Sequence, residues 1–225
     1  MKHYRGFTLV ELAVVLAIFG LLLGILVIPL STQVDQQRIG ETERQLAAVR
    51  EALMGFAIAN GCLPCPANPV VASGTAGAGT ENKPGAACAA AEGVLPWATL
   101  GVPETDAWGW RLTYRVTLAF ADDAAAGMQA SFLITDPANI NVNDAGGVAI
   151  AAGASAAVVS HGKNGFGAFR SDGTQAGGAA GNELENADND AIFVSQIHGP
   201  TFDDLVVWVS ANVLKSRLVA ANRLP

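Results

Sequence analysis

The chain has 225 residues, of which 51% are hydrophobic and 15% charged, and its net charge is −7. An acidic balance with no block of like charges excludes a general nucleic-acid binder, whose surface is basic and clustered. The apolar content excludes a wholly disordered chain, and the length suits one membrane-anchored domain with a real core, or two small domains at most.

The first predicted element is the run from Leu12 to Leu30, in which every residue is apolar, Gly or Pro. As a helix rising about 1.5 Å per residue, it reaches the roughly 30 Å of a bilayer core. Lys2 and Arg5 precede it, which keeps the N-terminus cytoplasmic. A cleavable secretory signal fits poorly, because the run is long and Ser31-Thr32-Gln33 is not a small-x-small site. A plain anchor leaves Glu11 unexplained: a carboxylate costs about 2.5–3.5 kcal/mol at the bilayer centre, and somewhat less towards its edge. On that reading Glu11 has no partner. Gly20, Gly24 and Pro29 interrupt the run, as tolerated residues or as points of close helix packing.

Arg5-Gly6-Phe7-Thr8-Leu9-Val10-Glu11-Leu12 resembles the type III signal of type IV pilins and pseudopilins. The resemblance implies that a membrane peptidase cuts after Gly6 and methylates the new N-terminus at Phe7. It makes Glu11 the family's glutamate, fifth after the cut, which neutralises the Phe7 amine of a neighbouring subunit. Losing Lys2 and Arg5 takes the side-chain charge from −7 to about −9. The implied partners are the prepilin peptidase, other pilin or pseudopilin subunits, an inner-membrane assembly platform and the lipid bilayer. The implied location is the bacterial inner membrane, crossed once, with the head periplasmic or, in an assembled fibre, extracellular. For Gly20, Gly24 and Pro29 the resemblance adds a helix that partly melts on packing into a filament.

Beyond Pro29, Leu46, Val49, Leu53 and Phe56 follow a 3-4-3 spacing that lines one helix face, while Glu43, Arg44, Arg50 and Glu51 project elsewhere. Asn60-Gly61 is a C-terminal stop. Too few heptads persist for a coiled coil. The expected segments are a leader (1–6), a membrane and assembly helix (7–30), its amphipathic continuation (31–61) and a globular head (62–225).

Cys62, Cys65 and Cys88 all follow the apolar run, so in an exported head one disulfide and one spare thiol are expected. The C-x-x-C of "CLPCP" does not suit haem, since Pro66 replaces the needed His, nor zinc, for which too few thiolates remain. A thioredoxin-like site needs a preceding strand and a following helix; here a helix precedes and Pro66 follows. The pattern "GxLPCPA…C…GVLPW" resembles a subgroup of pilin-like proteins in which the equivalents of Cys65 and Cys88 pair. Cys62 departs from that pattern, and a Cys62–Cys88 bridge stays open. Either staple restrains the Gly/Ala/Pro-rich stretch that ends at Cys88.

Leu112, Tyr114, Val116, Leu118 and Phe120 alternate with Arg111, Thr113, Arg115 and Thr117, the period of a half-buried strand. Trp97, Trp108 and Trp110 are expected to pack the helix–sheet junction rather than form a stacking platform. "DAWG" followed by "LTY" resembles the D-x-W-G…Y segment of the type II secretion major pseudopilin. Further strands are predicted at 130–135, 156–160, 191–197 and 205–209. Ser210 then caps a last helix carrying Leu214 and Leu218 on one face. The closing segment 202–225 also resembles that subgroup. The predicted fold is α+β: one long N-terminal helix on an antiparallel sheet.

Ser160, His161 and Asp172 lack a nucleophile elbow and read as loop polarity, not as a triad. "GNELENADNDAIF" clusters Glu183, Glu185, Asp188, Asn189 and Asp190, oxygens of the kind Ca²⁺ takes, although EF-hand spacing is absent. Major pseudopilins carry a calcium loop in a similar place, which makes Asp188 and Asp190 candidate ligands; a turn-rich loop without an ion is the alternative. The sequence reads as a non-enzymatic structural subunit of a pilus or type II secretion pseudopilus, its divergent head favouring a minor one. A monomeric membrane-anchored binding module and a tethered thiol oxidoreductase are the alternatives from other classes.

Overall fold

Helix α1 (Leu9–Asn60) opens the computed structural model, which describes residues 8–124 and 129–224 and, within them, all side chains except those of 22–32. The helix continues through Gly20, Gly24 and Pro29. Pro29 forfeits one backbone bond, which its neighbours outweigh. The chain divides after Gly40 into two units.

In the first unit every described side chain from Thr8 to Leu21 is exposed. Leu9 is 85% exposed and Leu21 67%. A helix apolar on all sides is stable only when lipid or other helices cover it. Among the described residues no helix is long and apolar enough to cross a membrane. The run Leu12–Leu30 extends into residues 22–32, whose side chains lie outside the described set.

The second unit is built on a six-stranded sheet. Its elements are β1 (Glu92–Val94), α2 (Trp97–Leu100), β2 (Thr113–Val116), β3 (Ile140–Asn143), β4 (Ala149–Ser160), α3 (Asn182–Glu185), β5 (Ile192–Val194), β6 (Leu205–Ser210) and α4 (Ala211–Ala220). The strand order is β1-β2-β4-β3-β5, with β6 also paired to β4. All pairs are antiparallel except β3–β5, which is parallel, so the α+β fold has a mixed sheet.

β4 explains its own composition. Ala156 and Val158 enter the core shared with α1 and α4, whereas Ala157 and Val159 enter a second cluster with Ile140, Val142 and Phe193. A strand buried on both faces carries apolar residues without alternation. On α1, Leu46, Val49 and Leu53 are buried, joined by Thr42 and Ala57. Phe56 is only half-buried; Ala57, four residues after Leu53, takes the next place in the stripe. Truncating Leu53 to Ala costs about 2–5 kcal/mol.

Three predicted elements are corrected. Residues 130–135 form no strand. Asp136 accepts from the Leu133 N–H at 2.8 Å and closes a turn that Pro137 follows, while Phe132 still packs on Phe120, with ring centroids 4.2 Å apart. β2 stops at Val116, and a 3₁₀ turn over Leu118–Phe120 turns Phe120 into the core. Ser210 sits at the N-cap of α4, but its side chain makes no capping hydrogen bond. Leu214 and Leu218 are fully buried. Helix α1 does end at Asn60: Gly61 adopts φ +77°, and a Cβ there would lie 2.0 Å from the Gln129 carbonyl oxygen.

Candidate functional site

The start of α1 is a capping box. Thr8 Oγ1 accepts from the Glu11 N–H at 3.2 Å, while Glu11 Oε2 accepts from the Thr8 N–H at 3.1 Å and from the Thr8 hydroxyl at 3.0 Å. Two of the three bonds satisfy backbone N–H groups that a helix N-terminus leaves orphaned, and the carboxylate stands at the positive end of the helix dipole. Glu11 is therefore hydrogen-bonded within its own chain. The T-x-x-E spacing of Thr8-Leu9-Val10-Glu11 carried this signal. Gly6 and Phe7 lie outside the described residues.

Cys65 and Cys88 form a disulfide across a sequence separation of 23, and Cys62 is a half-buried free thiol. Burial pushes the Cys62 thiol up. With Cys65 bonded to Cys88, the C-x-x-C pair of Cys62 and Cys65 is not a dithiol.

Arg111 organises the stapled loop. Fully buried, it donates from Nε to Glu104 Oε1 at 2.9 Å, from Nη1 to the Pro69 carbonyl at 2.9 Å, and from Nη2 to Ser73 Oγ at 3.0 Å and the Ser171 carbonyl at 3.1 Å. Its guanidinium lies 4.7 Å from the Trp97 ring centroid, and Arg170 lies 5.2 Å from Trp110. These two tryptophans stack on arginines and press on glycines: a Cβ at Gly79 or Gly165 would strike Trp97 or Trp110. They clamp loops, because the planar guanidinium offers a matching face.

Ser160, His161 and Asp172 are not brought together as a triad. Ser160 donates to Asp106 Oδ2 at 2.6 Å, His161 Nε2 is 2.8 Å from Thr113 Oγ1, and Asp172 is exposed and bonded to Thr174. Asp106 also accepts from the Trp108 and Trp110 N–H groups, so the "DAWG" segment is a turn held by its own aspartate.

Asp188 and Asp190 lie with Glu185 close enough for one ion. Both aspartates are exposed, and each uses an oxygen within the loop: Asp188 accepts from Asp190 N at 3.2 Å and Asp190 from Ile192 N at 2.7 Å. A second acidic group, Glu183, Asp203 and Asp204, is far more buried. Burial pushes Asp204 up to about 8 and Asp203 upward, and it pushes His161 down to about 4. The His161–Asp204 contact of 3.8 Å is thus no ion pair at neutral pH. Sequence reading missed this group because tertiary structure, not spacing, joins Glu183 to Asp203 and Asp204. Adjacent acids at the start of a predicted strand, "FDDL", were the available sign.

Residues 1–27 match the model of the prokaryotic N-terminal methylation motif, the type IV prepilin-like signal. Neither a curated protein nor a solved structure matches the chain.

Proposed function

We propose that this chain, which carries a type IV prepilin-like signal at residues 1–27, is a structural subunit of a type IV pilus or a type II secretion pseudopilus, and a minor one. A prepilin peptidase cuts between Gly6 and Phe7 and methylates the Phe7 amine. The subunit stays in the inner membrane through α1 and enters the fibre through the same helix. Within the fibre, Glu11 meets the Phe7 amine of a neighbour, a pairing that offsets the cost of two charges in a low dielectric. Other pilin or pseudopilin subunits and the assembly platform are its partners, and it performs no catalysis.

The methylation motif heading a helix with exposed apolar residues on every side carries this reading. A soluble domain has no use for such a surface, and an ordinary anchor has no use for the motif. The testing measurement is the N-terminal mass of the protein from cells that hold the peptidase. A chain beginning at N-methyl-Phe7 is expected, and a Gly6→Val variant is expected to retain its leader. A wild-type chain that still begins at Met1 would sink the proposal and leave a tethered module in its place.

A further inference from the structure

Strand β6 leaves one edge of the sheet open. At Ala154, β4 pairs with Ile140 of β3 and with Ser210 of β6, so those two strands lie on opposite sides of β4. Among the described residues no further strand pairs with β6. Outside the β4 ladder, no backbone-to-backbone bond joins residues 205–209 to another described segment. The outer edge therefore presents a row of unpaired N–H and C=O groups.

Nothing in the strand blunts that edge. Leu-Val-Val-Trp-Val-Ser carries neither a charge nor a Pro, two common protections against further pairing. The register shift of the ladder falls on β4, between Ala154 and Ala156, and β6 runs through without a bulge.

A groove of about 630 Å³ follows this edge, and residues 206–210 all line it. Side chains of a strand alternate between its faces. Leu205 and Val207 pack on the core shared with α1, while Val206 and Trp208 pack on the second cluster. Five successive residues of one strand share a groove only along its backbone edge. Met54 of α1 and Val213 of α4 complete an apolar lining, and Arg50, Glu51 and Arg217 stand at the rim. These three are exposed, and none makes an ion pair among the described residues.

Two features select the occupant. Only another extended backbone matches a row of unpaired strand groups, and six residues of β6 call for a partner segment of about 20 Å. The rim sets two arginines against one glutamate, on a chain whose net charge is −7, so it favours carboxylates. A second copy paired about a two-fold axis would bring the same rim against itself, arginines to arginines, which is repulsive.

We propose that the open edge of β6 takes up an extended acidic segment of a partner protein as an added strand. The segment's backbone pairs with β6, and its carboxylates meet Arg50 and Arg217. The site belongs to the head alone and does not rest on the assembly reading.

The test uses the full chain in detergent and a capped heptapeptide that alternates Val and Thr between terminal Glu residues. Peptide anisotropy and amide exchange at residues 205–210 are recorded. The peptide is expected to slow exchange in β6 about tenfold or more, and to bind about tenfold more tightly than its Lys-ended counterpart. Methylating the backbone nitrogen of every Val and Thr in the peptide is expected to abolish binding, because the ladder loses its donors. Arg50→Glu combined with Arg217→Glu changes two exposed positions and is expected to reverse the preference towards the Lys-ended peptide. Four results overturn the proposal. The first is β6 exchange that ignores the Glu-ended peptide at about 1 mM. The second is equal binding of the N-methylated peptide, which means apolar adhesion without a strand. The third is a charge preference that the double variant leaves unchanged. The fourth is β6 protection that rises with chain concentration and no peptide, which assigns the edge to a second copy.

Discussion

Thr8 and Glu11 hold each other through three hydrogen bonds at the first turn of α1. One residue pair thus closes the helix start and presents a carboxylate beside the proposed cleavage point. Two substitutions separate these roles. Thr8→Val removes both hydroxyl bonds and costs the first turn about 1 kcal/mol, read as roughly fivefold faster amide exchange at Glu11 and Leu12 in detergent. Fibre incorporation is expected to change less than about twofold. Glu11→Gln weakens the cap and also deletes the charge, and incorporation is expected to fall about tenfold or more. Equal losses in the two variants would mean that the cap alone matters.

Arg111 is buried with four hydrogen bonds and a stacked tryptophan. Arg111→Ala leaves Glu104 and two carbonyls without their donor, and a loss of about 3–5 kcal/mol is expected. For a domain of this size Tm falls by roughly 6–15 °C. Arg111→Lys rescues little, since an ammonium cannot reproduce the fork.

The disulfide restrains a Gly- and Ala-rich loop with little order of its own. Cys88→Ser is expected to cost about 3 kcal/mol in urea unfolding. Cys62→Ser leaves the staple intact and costs less than about 1 kcal/mol. Without reductant, the denatured chain titrates as one thiol, and the native thiol alkylates slowly because burial holds it protonated.

Glu92 gives a pH signature. Burial pushes its carboxyl up from the ordinary 4.5 to about 6, against the pull of Arg115 at 3.1 Å. The folded chain therefore holds this proton more tightly than the unfolded chain does. The associated stability is fully present below pH 4.5 and is lost as pH rises through 6, a change on the order of 2 kcal/mol. Glu92→Gln is expected to flatten that part of the stability curve in urea titrations from about pH 4 to pH 7. An unchanged slope would assign it elsewhere.

What the sequence discloses follows from how local each signal is. The α1 stripe, the strand at Thr113–Val116, the strand at Leu205–Ser210 and the face of α4 were legible because each repeats a short period. The region 130–135 was misread because apolar residues there serve a turn closed by Asp136. β1 and β3 are too short for any period to register. Trp97, Trp108 and Trp110 were placed at the helix–sheet junction by residue type alone, and the arginines on which Trp97 and Trp110 stack come from distant positions. The buried acidic group was hidden for the same reason: the separation of twenty positions from Glu183 to Asp203 is crossed only by the fold.

A rod sheathed in Leu, Val, Ile and Phe carries one solvent preference wherever it travels. Passing from hydrocarbon into a bundle of similar rods strips no water from those side chains, so their greasiness cancels between departure and arrival. On the proposed assembly route, tight contact between neighbours and Glu11 would then tell the two destinations apart, which would give one turn of α1 an influence out of proportion to its size.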